Sequence, residues 1–159
     1  MAILTAKDVI KHSWKLGRPR NTIPLFRGLN DMGKTKSLYL DFEQWYNEEL
    51  LKAHKHKAIV YTASVLKLTP KCSHLICAKL DNDNSSLFPK TRIRKADNIH
   101  TKLYILKPAP YKVSQVWVGS GNLVSSKGWH NIMVKVTDKH DRKILIQYFD
   151  NLWKLAGCV

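Results

Sequence analysis

Two short clusters in this sequence hold the residue types that phosphoester chemistry requires. His100-Thr101-Lys102 opens the apolar run Leu103-Tyr104-Ile105-Leu106, and Gly119-Ser120-Gly121-Asn122 closes the run Val116-Trp117-Val118. A neutral imidazole such as that of His100 can attack phosphorus and divide a displacement into two steps through a covalent phosphohistidine. Lys102 shares a strand face with His100, because side chains alternate with period two, so its ammonium can meet the same phosphate. Together with Asn122 it would hold the charge that develops on the phosphoryl oxygens, by fixed positive charge and N–H donors. Ser120 can orient such a pocket through its hydroxyl, and Gly119 and Gly121 would let the backbone come close to a phosphate. The leaving oxygen also needs a proton, which calls for a separate acid, most simply a second histidine.

For the two clusters to meet, the strands that carry them must be adjacent and antiparallel. Pro108-Ala109-Pro110 supplies the turn between them. Around this pair the hydrophobic period predicts a short helix over 6–16 and a helix from about 37 to 55, with Leu38, Phe42, Trp45, Tyr46 and Leu50 on one face. It predicts strands over 58–63, 74–80, 91–95, 102–106, 115–118 and 132–136, with an exposed loop at 81–86. A closing helix, capped by Asp138, repeats Ile144, Leu145, Tyr148, Phe149, Leu152 and Leu155 at helical spacing. Helix, then strands, then helix implies an α/β fold in which one mixed β-sheet is flanked by helices. A length of 159 residues suits a single domain, with residues 1–36 as a basic N-terminal arm or lobe punctuated by Gly and Pro, and 37–159 as the core. Trp14, Trp45, Trp117 and Trp153 read as core, whereas Trp129 beside His130 is a candidate for base stacking.

Charge narrows the partners. Lys and Arg number 27 against 12 Asp and Glu, a formal net charge of +15, and basic residues lie at both ends of the chain. Such a surface attracts polyanions, since each basic side chain that meets a phosphate releases condensed counterions. Arg18, Arg20, Lys34, Lys36, Arg92, Arg94 and Lys127 are the candidates for contacts to a nucleic-acid backbone. The sequence has no run approaching the ~18 apolar residues of a membrane span, no basic-then-apolar leader at its start, and no amphipathic helix with one strongly basic face. Three cysteines, Cys72, Cys77 and Cys158, are too few for a disulfide framework, so a reducing cytoplasm is the expected location.

Two other chemistries can be weighed and set lower. Gly28-Leu29-Asn30-Asp31-Met32-Gly33-Lys34-Thr35 fits the letters of a phosphate-cradling P-loop. That loop must follow a buried strand, and the segment upstream is broken by Pro24. Cys72, His74 and Cys77, with His54 and His56, resemble a zinc set only in composition. No second matching pair follows, and Leu75-Ile76-Cys77-Ala78 reads as a buried strand, where cysteine behaves as a small hydrophobe. Neither a metal nor a cofactor is expected.

The HxK of His100 and Lys102, followed by the GSxN of Gly119–Asn122, resembles the signature of the phospholipase D superfamily. The similarity covers about residues 57–156 and matches one half-repeat of that fold. Small members with one motif copy pair as homodimers and build a single active site from two chains. The resemblance implies a metal-independent endonuclease or phosphodiesterase acting on nucleic acid, DNA ahead of RNA, with His100 as nucleophile and the partner's His100 as acid. Two positions depart from the pattern. Lys107 stands where the signature often carries an acid, and His130-Asn131-Ile132-Met133 stands where a glutamate is common, which makes His130 the candidate substitute. The alternative is a catalytically impaired phospholipase D-like protein that binds nucleic acid or inhibits; a P-loop nucleotide-binding protein ranks third.

Overall fold

The computed structural model describes residues 36–81, 92–125 and 130–158. The predicted helix over 6–16, the P-loop-like segment, nearly all of the N-terminal lobe, and Arg18, Arg20, Lys34, Lys127, Trp14 and Trp129 lie outside the described residues.

Long apolar runs form the centre of the sheet. Strand β2 (Lys55–Ser64) holds Ala58, Ile59 and Val60, all fully buried, and such a run is what a strand covered on both faces requires. It pairs in parallel with β3 (Cys72–Asp81), which pairs in parallel with β4 (Arg92–Lys95). On its other side β2 is antiparallel to β5 (Leu103–Lys107), which is antiparallel to β6 (Gln115–Gly119). Strand β7 (Met133–Lys135) follows β6, and β1 (Leu38–Tyr39) and β8 (Gly157–Cys158) form the two edges. Among the described residues the result is one eight-stranded mixed sheet, in the order β1-β7-β6-β5-β2-β3-β4-β8.

Each face buries its own core, because alternate residues of one strand point to opposite sides. Val60, Leu75, Tyr104, Leu106 and Trp117 join Phe42, Trp45, Tyr46 and Leu50 on one face. Ile59, Ile76, Leu103, Ile105 and Val116 join Phe149 and the partly buried Leu145, Leu152 and Trp153 on the other. Full burial of a large apolar side chain contributes about 1.5–3 kcal/mol, so Trp45 and Trp117, both fully buried with rings 5.9 Å apart edge to face, anchor the first layer.

The helix predicted over 37–55 is shorter and starts later. Leu38 and Tyr39 pair instead with Val134 and Met133, a long-range contact invisible to local periodicity. Helix α1 (Phe42–Trp45) begins after Asp41, whose Oδ1 accepts from the Glu43 and Gln44 amides at 2.8 and 3.4 Å. It continues as a single π-helical stretch over Tyr46–Leu50 before the chain turns into β2. The closing helix α2 (Lys139–Leu155) starts as expected, with Asp138 Oδ2 accepting from the Asp141 amide at 2.9 Å. β8, which follows it, has no counterpart among the predicted elements.

Candidate active site

The register of β5 and β6 decides where the two polar clusters fall. Leu103 lies opposite Val118, so the residues before Leu103 and those after Val118 leave the sheet at the same end. Strand β2 is antiparallel to β5 with Ile59 opposite Leu103, and its last residues pass that end as well. There the chain beyond β6 lies across β2: the Ser64 amide donates to the Leu123 carbonyl at 2.7 Å, and Ala63 and Leu123 form a parallel bridge. This is the carboxyl end of the parallel strands, where open α/β sheets place their ligand crevices.

A cleft of about 450 Å³ opens here, lined by His100, Lys102, Ser120, Asn122, Val124, Ser125 and Asn131. His100 is exposed, while Lys102 is buried, with 8% of its surface accessible. The Lys102 ammonium donates to the His100 carbonyl at 2.9 Å and lies 3.2 Å from His100 Nδ1. Among the described residues it has no carboxylate partner, and burial pushes its pKa below the usual lysine value. A buried cation without a counter-charge favours the arrival of an anion. The Tyr61 ring lies 5.7 Å from the His100 imidazole, and Lys79 Nζ lies 5.5 Å from the Tyr61 ring centroid.

Asn122 is oriented without ambiguity. Its Oδ1 accepts from the Tyr61 and Thr62 amides at 3.0 and 3.1 Å, and a backbone N–H can only donate, so the carboxamide nitrogen is the end left for a ligand. Ser120 Oγ accepts from the Ile132 amide at 3.0 Å and donates to Asn131 Oδ1 at 3.1 Å.

The glycines have a different reason from the one their spacing suggested. A Cβ on Gly119 would sit 1.9 Å from the Ile132 carbonyl oxygen, and one on Gly121 would sit 2.2 Å from the Phe42 ring. The Gly119 and Ser120 amides are already bonded to the carbonyls of Lys102 and Ile132, and the Gly121 carbonyl accepts from the Tyr104 hydroxyl at 2.7 Å. Close packing against protein, rather than access for a phosphate, excludes side chains here.

His130 is exposed and is not part of the lining; its neighbour Asn131 is. Sequence reasoning passed over Asn131, although it lies in the segment where the motif pattern called for an acid. Tyr61 carried no local signal, since its place beside His100 depends on the β2–β5 pairing. Of the proposed backbone contacts, Lys36 is ion-paired with Glu48 at 3.5 Å. Arg94 covers the Trp153 ring at 4.3 Å and donates to the Trp153 carbonyl, a structural position between β4 and α2. The Arg92 side chain lies outside the described residues. No group of three or more His, Cys, Asp or Glu able to hold a metal ion occurs among the described residues, and Cys72 and Cys77 are buried free thiols. No helix among them is long and apolar enough to cross a membrane.

No protein-family profile matches the sequence, and no curated protein matches it. Solved structures do share the fold. NucT from Helicobacter pylori matches with a TM-score of 0.54 at 12% identity, over 77% of this chain and 98% of NucT. TrmBL2, an archaeal chromatin protein whose structure shows a novel mode of DNA binding, matches with a TM-score of 0.51 at 11% identity, over 96% of this chain. The chain spans 66% of TrmBL2's length. Polyphosphate kinase from Porphyromonas gingivalis matches with a TM-score of 0.52 at 10% identity, over 79% of this chain and 25% of the kinase. At these identities the likeness is one of fold.

Proposed function

We propose that this chain is a phosphodiesterase acting on nucleic acid, DNA ahead of RNA, with His100 as its nucleophile. The observation that carries the reading is the convergence of His100, Lys102, Ser120 and an oriented Asn122 on one cleft whose lining, among the described residues, holds no carboxylate. The HxK and GSxN resemblance to the phospholipase D superfamily supports it, as does a fold shared with NucT. Two of the neighbours handle phosphate polymers: TrmBL2 is a chromatin protein that binds DNA, and the third is a polyphosphate kinase.

The chemistry follows from the groups. A phosphodiester entering the cleft takes the donors of Lys102 and of the Asn122 carboxamide, which draws Lys102 away from His100 and frees the imidazole lone pair. That lone pair forms an N–P bond as the P–O bond to the leaving group breaks, and a second acid protonates the departing oxygen. Water, deprotonated by that same group, then attacks phosphorus and releases His100. The acid is His100 of a second copy, in a two-fold dimer that shares one site; two-fold pairing is the commonest way to duplicate a surface. Charge on the nonbridging oxygens is met by Lys102 and Asn122, so no divalent ion is required.

A second reading, binding without turnover, has one observation in its favour. An ammonium, rather than a carboxylate, lies against His100 Nδ1. If that contact persists with substrate bound, the ring proton stays on Nε2 and the nucleophilic lone pair stays occupied. Incubation with plasmid and single-stranded DNA in EDTA separates the readings. Cleavage in EDTA that is lost in His100→Ala, with binding retained, supports the nuclease. Activity that vanishes in EDTA and returns with magnesium or zinc refutes the metal-independent mechanism, and binding with no cleavage under any condition leaves the second reading. An excess of His100→Ala chains should poison the wild type if the site is shared.

A further inference from the structure

At the opposite end of the same strands lies a second cleft, of about 260 Å³, with a lining unlike the first. Lys55, Lys57 and Lys107 line it, together with His56, Ser73, Ile105 and Ser114. Among the described residues no carboxylate lines it, and none of the three lysines is ion-paired. Lys55 and Lys107 are directly opposed on the antiparallel β2 and β5, and Lys57 is two residues along on the same face. Like charges in a cross-strand pair destabilise a sheet. Three of them around a concavity with no acid among its described lining form a site for a polyvalent anion.

The neighbouring hairpin between β5 and β6 narrows the class of anion. Tyr111 there is 84% exposed and Val113 76%, with Lys112 Nζ 5.8 Å from the Tyr111 ring centroid. An exposed aromatic next to lysines offers a face on which a base can stack, which a bare phosphate would not use. We infer that the Lys55–Lys57–Lys107 cleft is a second nucleic-acid contact, which grips the sugar–phosphate backbone away from the reacting phosphate. From His56 to Thr62 is six residues of β2, about 20 Å at ~3.3 Å per residue, equivalent to roughly six base pairs at ~3.4 Å rise. The two clefts thus hold one nucleic acid at separate points. This rests on the nucleic-acid reading of the substrate but not on cleavage.

The test uses full-length protein carrying His100→Ala, so that no substrate is consumed, with and without Lys55→Gln, Lys57→Gln and Lys107→Gln. Fluorescence anisotropy across a salt series measures binding of duplexes of about four and about sixteen base pairs, the first too short to span both clefts. The expected result is a log K against log salt slope reduced by about 2–3 for the long duplex, at ~0.9 for each phosphate that is no longer neutralised. Binding of the short duplex at the His100 end should be unchanged. Lys55→Gln alone, at an exposed position where it relieves a like-charge pair with Lys107, should lower the long-duplex slope by up to ~0.9. An unchanged slope in both variants overturns the inference. Hydrolysis of a small aryl phosphodiester by the chain with an intact His100 keeps the two proposals apart. Hydrolysis with unchanged slopes refutes the second cleft alone, and reduced slopes without hydrolysis support the cleft while refuting the catalytic reading.

Discussion

His56 should make the fold sensitive to mild acid in a way that a single substitution removes. The residue lies on β2 with 1% of its surface exposed, and neither ring nitrogen has a hydrogen-bond partner among the described residues. Burial, with a smaller contribution from the Lys71 ammonium, pushes its pKa from the ordinary 6.5 down to about 4. In the unfolded chain the imidazole takes up a proton as pH falls through about 6.5, while the folded chain resists until about 4, so acid favours unfolding across that window. The full effect is about 3 kcal/mol, at 1.36 kcal/mol per unit of pKa, and about 2 kcal/mol of it should be lost by about pH 5. The assay is urea unfolding of wild type and His56→Leu between about pH 5 and pH 8, with the other histidines cancelling in the difference. At the upper end His56→Leu should equal or exceed the wild type, because it removes an unsatisfied buried polar group. A wild-type-minus-variant difference that stays flat across this range, or that favours the wild type in acid, would refute the buried neutral imidazole.

Three further outcomes follow from the cleft. Asn122→Asp keeps both acceptor contacts to the Tyr61 and Thr62 amides but replaces the ligand-facing N–H donors with negative charge; melting temperature should hold while phosphate-ester turnover and DNA affinity drop at least tenfold, whereas Asn122→Ala should also cost about 1–2 kcal/mol in urea unfolding. Gly121→Ala meets the Phe42 ring at 2.2 Å and should destabilise by about 1–3 kcal/mol with loss of activity, visible as a lower midpoint in thermal unfolding. Tyr104→Phe removes the buried 2.7 Å bond to the Gly121 carbonyl and should cost about 1 kcal/mol, with faster hydrogen exchange over 120–123 as the local reading.

What was legible in the sequence was local or strictly periodic. The turn at Pro108–Pro110, the apolar runs of β5 and β6 and the Asp138 cap are local, and the first two place His100, Lys102, Ser120 and Asn122 at one sheet end. The errors arise where partners are distant in sequence. Leu38 and Tyr39 have the apolar character of a helix face, yet β7, nearly a hundred residues on, recruits them as a strand. Gly119 and Gly121 look like phosphate-loop glycines because their actual neighbours, Ile132 and Phe42, come from other elements. Asn131 stayed hidden for the same reason: only the folded chain puts its carboxamide against Ser120.

The two edges of the sheet constrain how copies of this chain can associate. β1 and β8 each contribute only two residues of ladder, so among the described residues neither edge offers a long row of free amides and carbonyls. Stubby margins of this kind discourage another chain from docking as an extra strand, and so guard a lysine-rich, strand-rich protein against open-ended fibre growth. Among the described residues, the flanks offer little ladder for self-association. If two copies share His100 as proposed, they meet head-on, with the two sheets facing each other across the strand tips that carry it, like opposed combs, and the Lys55–Lys57–Lys107 clefts at the far ends.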